Sequence, residues 1–149
     1  MLGLDFINQT IALNPSPISD SIKNLDLSKI DFLILNEIEG QEISGEKSPN
    51  RILDHLLSNY SFFKIVLTLG TNGVIYRDNV QEHKQEAYNV KAKNTTAAGN
   101  TFLGYFLSMI SQKHDVKFAL TIASKAASLA VSRKSSSSSI PVLAEVLGK

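Results

Sequence analysis

"DFLILNEIE", residues 31–39, sets the fold class of this chain. Phe32 to Leu35 form a continuous apolar run of strand length, with no polar alternation. That is the pattern of a strand covered on both faces. Asn36 follows, with Glu39 three residues on, the outline of a capping box that opens a helix. A doubly buried strand that passes straight into a helix belongs in an α/β sheet with helical crossovers.

The same logic extends in both directions. "TIALN" (10–14) is a short apolar strand that runs into "PSP", which cannot be helical. Ser48-Pro49 starts a helix whose apolar face is Ile52, Leu53, Leu56 and Leu57. "FFKIVLTLG" (62–70) is another buried strand, "TNG" (71–73) a tight turn, and "VIYR" the strand after it. Asp78-Asn79 turns again, and "EAYNVKA" (86–92) alternates weakly. From Ala97 a helix is expected to about Ser111, with apolar positions 102, 105, 106, 109 and 110 widened by Leu103 and Leu107. Asp115 can cap an alanine-rich helix, "SSSSS" (135–139) reads as a loop, and "PVLAEVL" as a last short helix.

Composition narrows the function classes. The 149 residues fit one domain, 43% of them are hydrophobic, and the net charge is +1. No basic stripe favours nucleic acid. With no cysteine, disulfides and thiolate metal sites are excluded. His55, His83 and His114 have no metal-ligand spacing. "MLGLDFINQT" has no basic n-region before an apolar core, and no apolar run is long enough to span a bilayer. The expectation is a cytoplasmic protein without membrane or nucleic-acid partners.

Three stretches have residues that suit chemistry, each with a plainer reading beside it. "NTTAAGN" (94–100) combines amides, hydroxyls and methyls without charge. If Ala97, Ala98 and Gly99 form a first helical turn, their N–H groups and the helix dipole favour an anion. The plainer reading is that small residues let the helix pack tightly. "NEIE" (36–39) is a capping box, or it brings Glu39 to a metal–phosphate group at the C-terminal end of a parallel strand. "TLGTNG" (68–73) is a glycine-containing hairpin turn, or a loop whose backbone lies against a nucleotide.

Taken in order, "LNPSP", "LILNEIEGQEISG", "IVLTLGTNGVIY", "VKAKNTTAAGNTFLGYF" and "AASLAVSRKSSSSSIP" resemble the ribokinase-like, or PfkB, carbohydrate kinases. The resemblance covers nearly all of the chain. It implies a ribokinase-like, Rossmann-like three-layer sandwich with a mostly parallel sheet, incomplete at its N-terminal side. Residues 1–149 would be the C-terminal, nucleotide-binding part, without the sugar-binding and lid part. The activity implied is phosphoryl transfer from ATP to a sugar hydroxyl, with Mg²⁺ and a potassium ion. The N–H groups of Ala97, Ala98 and Gly99 would form an anion hole. Asn36 and Glu39 would order the nucleotide phosphates and, through water, Mg²⁺. Thr68, Leu69, Gly70, Thr71, Asn72 and Gly73 would line the nucleotide site with Gly99, and Ser124 would contact adenine. Asn94, Thr96, Ala130, Arg133, Ser135 and Ser139 would surround the monovalent cation.

Two departures from the family pattern bear on activity. The family has Asp where this chain has Asn100, and that aspartate is the base for the sugar hydroxyl. An amide can hold a hydroxyl but cannot accept its proton near neutral pH. Asn94 likewise replaces a carboxylate near the cation site. Two readings follow: a kinase half that works with a separately made N-terminal half or at a reduced rate, and a nucleotide-holding pseudokinase or truncated remnant. An open sheet edge would favour self-association or such a partner chain.

Overall fold

The structure, a computed structural model, describes residues 3–7, 10–14, 31–59, 64–87, 95–131 and 143–147. The expectations for "PSP", for Phe62 and Phe63 at the start of "FFKIVLTLG", for residues 88–92 of "EAYNVKA" and for the serine run lie outside these residues. The chain divides into two compact units, Met1–Leu69 with Ile75–Lys84, and Gly70–Val74 with Gln85–Lys149.

The first unit is built on a sheet. Its strands are β1 (Gly3–Ile7), β2 (Thr10–Asn14), β3 (Phe32–Asn36), β4 (Lys64–Thr68), β5 (Val74–Arg77) and β6 (Glu82–Gln85). They pair in chain order from β1 to β6. β2, β3 and β4 are parallel, as the apolar runs imply. β1 was not expected; it pairs antiparallel with β2, Gly3 opposite Asn14. Its five residues, "GLDFI", alternate only over Leu4, Asp5 and Phe6, too short a pattern to mark a strand, and the pairing is made by a neighbour in the chain.

Two helices, α1 (Glu37–Ser44) and α2 (Pro49–Asn59), belong to this unit. The core joins Leu33 and Leu35 of β3, Ile65 and Leu67 of β4, Ile75 of β5, and Ile52, Leu53 and Leu56 of α2. The alternate residues Phe32, Ile34 and Val66 are buried too, so the strands are covered on both faces. Each such side chain contributes about 1.5–3 kcal/mol by leaving water. Gly40 lets α1 close on this core. A Cβ there would lie 2.9 Å from Ile52 Cγ2 and 3.2 Å from Leu67 Cδ1.

β6 reads "EHKQ" and is not recognisable as a strand from its side chains. An ion-pair cluster and backbone pairing hold it instead. Arg77 on β5 donates to Glu82 Oε2 at 2.6 Å, to Asp54 Oδ1 at 2.8 Å and to Asn50 Oδ1 at 2.9 Å, tying β6 to α2. Asp78 shapes the turn between β5 and β6: its Oδ1 accepts from the N–H groups of Val80 at 2.7 Å and Gln81 at 2.8 Å. Its other oxygen accepts from the buried Tyr76 hydroxyl.

The second unit holds α3 (Thr95–Ser111), α4 (Val116–Val131) and α5 (Leu143–Val146). Phe102, Phe106, Leu107 and Met109 are buried on α3; Ala119, Ala123, Ala126 and Ala130 are buried on α4, where methyl-sized side chains allow α3 to pack closely. Asp115 caps α4 as expected, its Oδ1 accepting from Phe118 N at 2.7 Å. Among the described residues, no helix is long and apolar enough to cross a membrane.

Burial and the Asp78 charge push the Tyr76 hydroxyl far above the usual phenol range, so it stays a donor. Burial alone would raise the Asp78 carboxyl, but hydrogen bonds from Tyr76, Val80 and Gln81, with the Lys64 charge, outweigh it and hold it below its ordinary value. A group depressed in the folded state stabilises above its unfolded pKa, and that contribution is lost as pH falls through the folded value. Asp78→Asn should therefore be less stable than wild type near pH 7, with the gap closing below about pH 4. Urea unfolding of both proteins across pH measures this; a gap that stays constant down to pH 3 would contradict it.

Candidate functional site

The parallel register brings two candidate residues side by side. Asn36 at the end of β3 is the register partner of Thr68 at the end of β4. The Thr68 hydroxyl reaches the Leu35 carbonyl at 3.4 Å. Both residues thus sit at the carboxyl ends of parallel strands, the edge where such sheets bind ligands.

At that edge the capping reading of "NEIE" is realised in full. Glu39 N donates to Asn36 Oδ1 at 2.8 Å, and Asn36 N donates to Glu39 Oε1 at 2.8 Å. Glu39 is buried while Asn36 is exposed. With Glu37 and Glu39 in its first turn, α1 has its positive end compensated by carboxylates. This end suits a cation better than an anion. Among the described residues, no three His, Cys, Asp or Glu side chains cluster as a metal cage. A divalent ion would fit only as Mg²⁺ commonly does, on phosphate and water oxygens with a carboxylate nearby.

The "TLGTNG" stretch divides between the units after Leu69. Leu69 packs against the core of the first unit. Gly70–Asn72 make a 3₁₀ turn, closed by Gly73 N donating to Gly70 O at 3.2 Å. Thr71 and Asn72 are exposed, while Gly73 is buried at φ 91°. Gly73 admits no side chain: a Cβ would lie 2.2 Å from the Gln85 carbonyl oxygen. The turn is real, and its outer backbone is open to solvent.

α3 begins at Thr95, two residues before the expected Ala97. Helix propensity is a weak prior, and the two threonines join the first turn despite their β-branched side chains. Ala97 is therefore the third residue of the helix and Asn100 the sixth. Ala97 keeps its N–H in the first turn, whereas Ala98 and Gly99 stand where the intrahelical ladder begins. No acidic residue lies in the first turn, so the positive end of this dipole is uncompensated, in contrast to α1. Gly99 and Asn100 are exposed, and a Cβ on Gly99 would meet nothing within 4 Å among the described residues. Thr101, next along, is 3% exposed, and its buried hydroxyl has no hydrogen-bond partner among the described residues. No local pattern signals this, since a threonine in a helical apolar stretch reads as filler.

On α4, Ser124 and Ala130 are both buried. Asn94, Arg133, Ser135 and Ser139 lie outside the described residues, as does the cation loop expected from them.

The chain matches the pfkB family carbohydrate kinases over residues 6–143. The ribokinase of Staphylococcus aureus strain COL is 36% identical over 144 residues, covering 92% of this chain and 46% of that protein. The crystal structure of ribokinase from Thermotoga maritima superposes with a TM-score of 0.81 at 27% identity, covering 95% of this chain and 48% of the other. That of Arabidopsis thaliana ribokinase, complexed with ribose and ATP, gives 0.75 at 25% identity, covering 82% and 41%. The chain spans about half the length of the relatives it matches. The fold is a ribokinase-like α/β fold, and the chain belongs to the pfkB family of carbohydrate kinases.

Proposed function

We propose that residues 1–149 are the nucleotide-binding part of a ribokinase-type sugar kinase, and that they hold Mg-ATP without transferring its phosphoryl group at a useful rate. The observation that supports this most directly is the start of α3: a charge-free helix end, open space beside Gly99, and an exposed amide at Asn100.

The roles divide by chemistry. The start of α3 takes the transferring phosphate, with the first-turn N–H of Ala97 as donor and Ala98 and Gly99 as the small residues that let it come close. Glu39, in its capping box with Asn36, orders Mg²⁺ through water. Thr68 to Gly73 lie along the nucleotide, Ser124 contacts adenine, and the segment with Asn94, Thr96, Ala130, Arg133, Ser135 and Ser139 holds a potassium ion. Bound Mg-ATP supplies the phosphoryl group and part of the charge neutralisation. In the family's reaction a sugar hydroxyl loses its proton, forms a bond to the γ-phosphorus, and ADP leaves with the bridging oxygen. Asn100 can orient that hydroxyl but cannot take its proton. The loss costs about 10²–10⁴-fold in rate. Asn100 equally supports the second reading, a pseudokinase that binds nucleotide only. A small sugar and a partner chain that completes its site remain within this proposal.

Two variants test the assignment. Gly99→Ala should stabilise the exposed helix by about 0.5–1 kcal/mol. The same methyl should weaken ATP binding about tenfold by blocking close approach. Unfolding and calorimetry read the two effects; unchanged affinity would remove Gly99 from the phosphate site. Asn100→Asp should bind nucleotide as wild type does and still phosphorylate neither ribose nor fructose, because the residues that would hold the sugar are assigned to no part of this chain. A coupled ADP-release assay decides it. Detectable sugar-dependent turnover by the unmodified chain would overturn the proposal.

A further inference from the structure

Residues 85–87 touch two parts of the second unit that are remote in sequence. On one side they lie against Gly73. A Cβ there would stand 2.2 Å from Gln85 O, 3.0 Å from Glu86 Cα and 3.1 Å from Ala87 N. On the other side the Gln85 side chain reaches α4, where the Thr121 hydroxyl donates to Gln85 Oε1 at 3.1 Å. Gln85 Nε2 donates to Glu86 O at 3.1 Å, which fixes the amide with its oxygen toward Thr121. The Thr121 hydroxyl also lies 3.0 Å from Lys117 O, so its single proton is divided between two acceptors. Thr121 and Ser124 are three residues apart on α4 and therefore neighbours on its surface.

We propose that Gln85 is a positioning residue for the nucleotide. Through Thr121 it holds the Gly70–Gly73 turn and the Ser124 region of α4 as one element, so that the loop and the adenine contact are presented together. This rests on the assignment of that loop and Ser124 to nucleotide binding. Gly73 completes the device, because only a residue without a side chain lets the 85–87 backbone close over the turn.

The test uses the full chain with Gln85→Met, Thr121→Val, the double variant, Gln85→Glu and Thr121→Ser. Hydrogen exchange of residues 70–74 is measured without nucleotide, and Mg-ATP affinity by calorimetry. Gln85→Met and Thr121→Val should each speed exchange at 70–74 and weaken ATP binding about three- to tenfold. The double variant should be no worse than the single ones, because both remove the same bond. Thr121→Ser keeps the hydroxyl and should behave as wild type, whereas Gln85→Glu keeps an accepting oxygen but loses the Nε2 donation to Glu86 O and should fall between wild type and Gln85→Met. That pattern separates a lost tether from lost packing. Unchanged exchange in both disruptive variants overturns the proposal. Faster exchange with unchanged ATP affinity also overturns it, while the nucleotide site survives. A wild-type chain that binds no nucleotide defeats the site assignment and the positioning role together.

Discussion

The parallel pairing of β3 with β4 is the constraint on which the rest depends. Five consecutive register pairs run from Phe32 with Lys64 to Asn36 with Thr68. Because both strands point the same way, both end at one edge, and the chain from β3 to β4 must cross back through α1 and α2. Burial on both faces fixes the register: a slip of one residue would exchange Leu33 and Leu35 with Phe32 and Ile34 across the sheet. The register in turn sets Asn36 beside Thr68. One strand leads into a capped helix and the other into the glycine turn, so the candidate site is a consequence of strand direction.

Two helix starts, one in each unit, differ in charge. α1 begins with Glu37 and Glu39, the latter locked into its cap. α3 begins with threonines and alanines and no acid. The first arrangement favours a cation and the second an anion. Phosphoryl transfer needs both kinds of environment. Asn100 keeps the second of them neutral, whereas an aspartate there would add a proton acceptor and a negative charge.

What could be read from the sequence follows from what holds each element in place. β3, β4 and α2 were legible because the hydrophobic effect holds them, and burial is written in consecutive or helically spaced apolar residues. β6 was not, because Arg77 and backbone pairing hold it; its own side chains are charged or polar. β1 is not legible because Gly3 and Asp5 interrupt its apolar residues and its pairing with β2 holds it in place. The start of α3 was placed two residues late because threonine is a weak helix former, a preference that the packing of the following apolar helix overrides. At the candidate site, the capping box was legible because it is local. The Asn36–Thr68 pairing, the unpartnered Thr101 hydroxyl and the Gln85–Thr121 bond were not, since each depends on residues brought together only by folding.

The most direct measurement is a calorimetric titration of the unmodified chain with Mg-ATP in the presence of potassium. Saturable binding to one site per chain is the expected result, and it would show that the charge-free start of α3 and the glycine turn form a working nucleotide site. No heat of binding up to millimolar nucleotide would contradict the account, leaving these features as inherited shape.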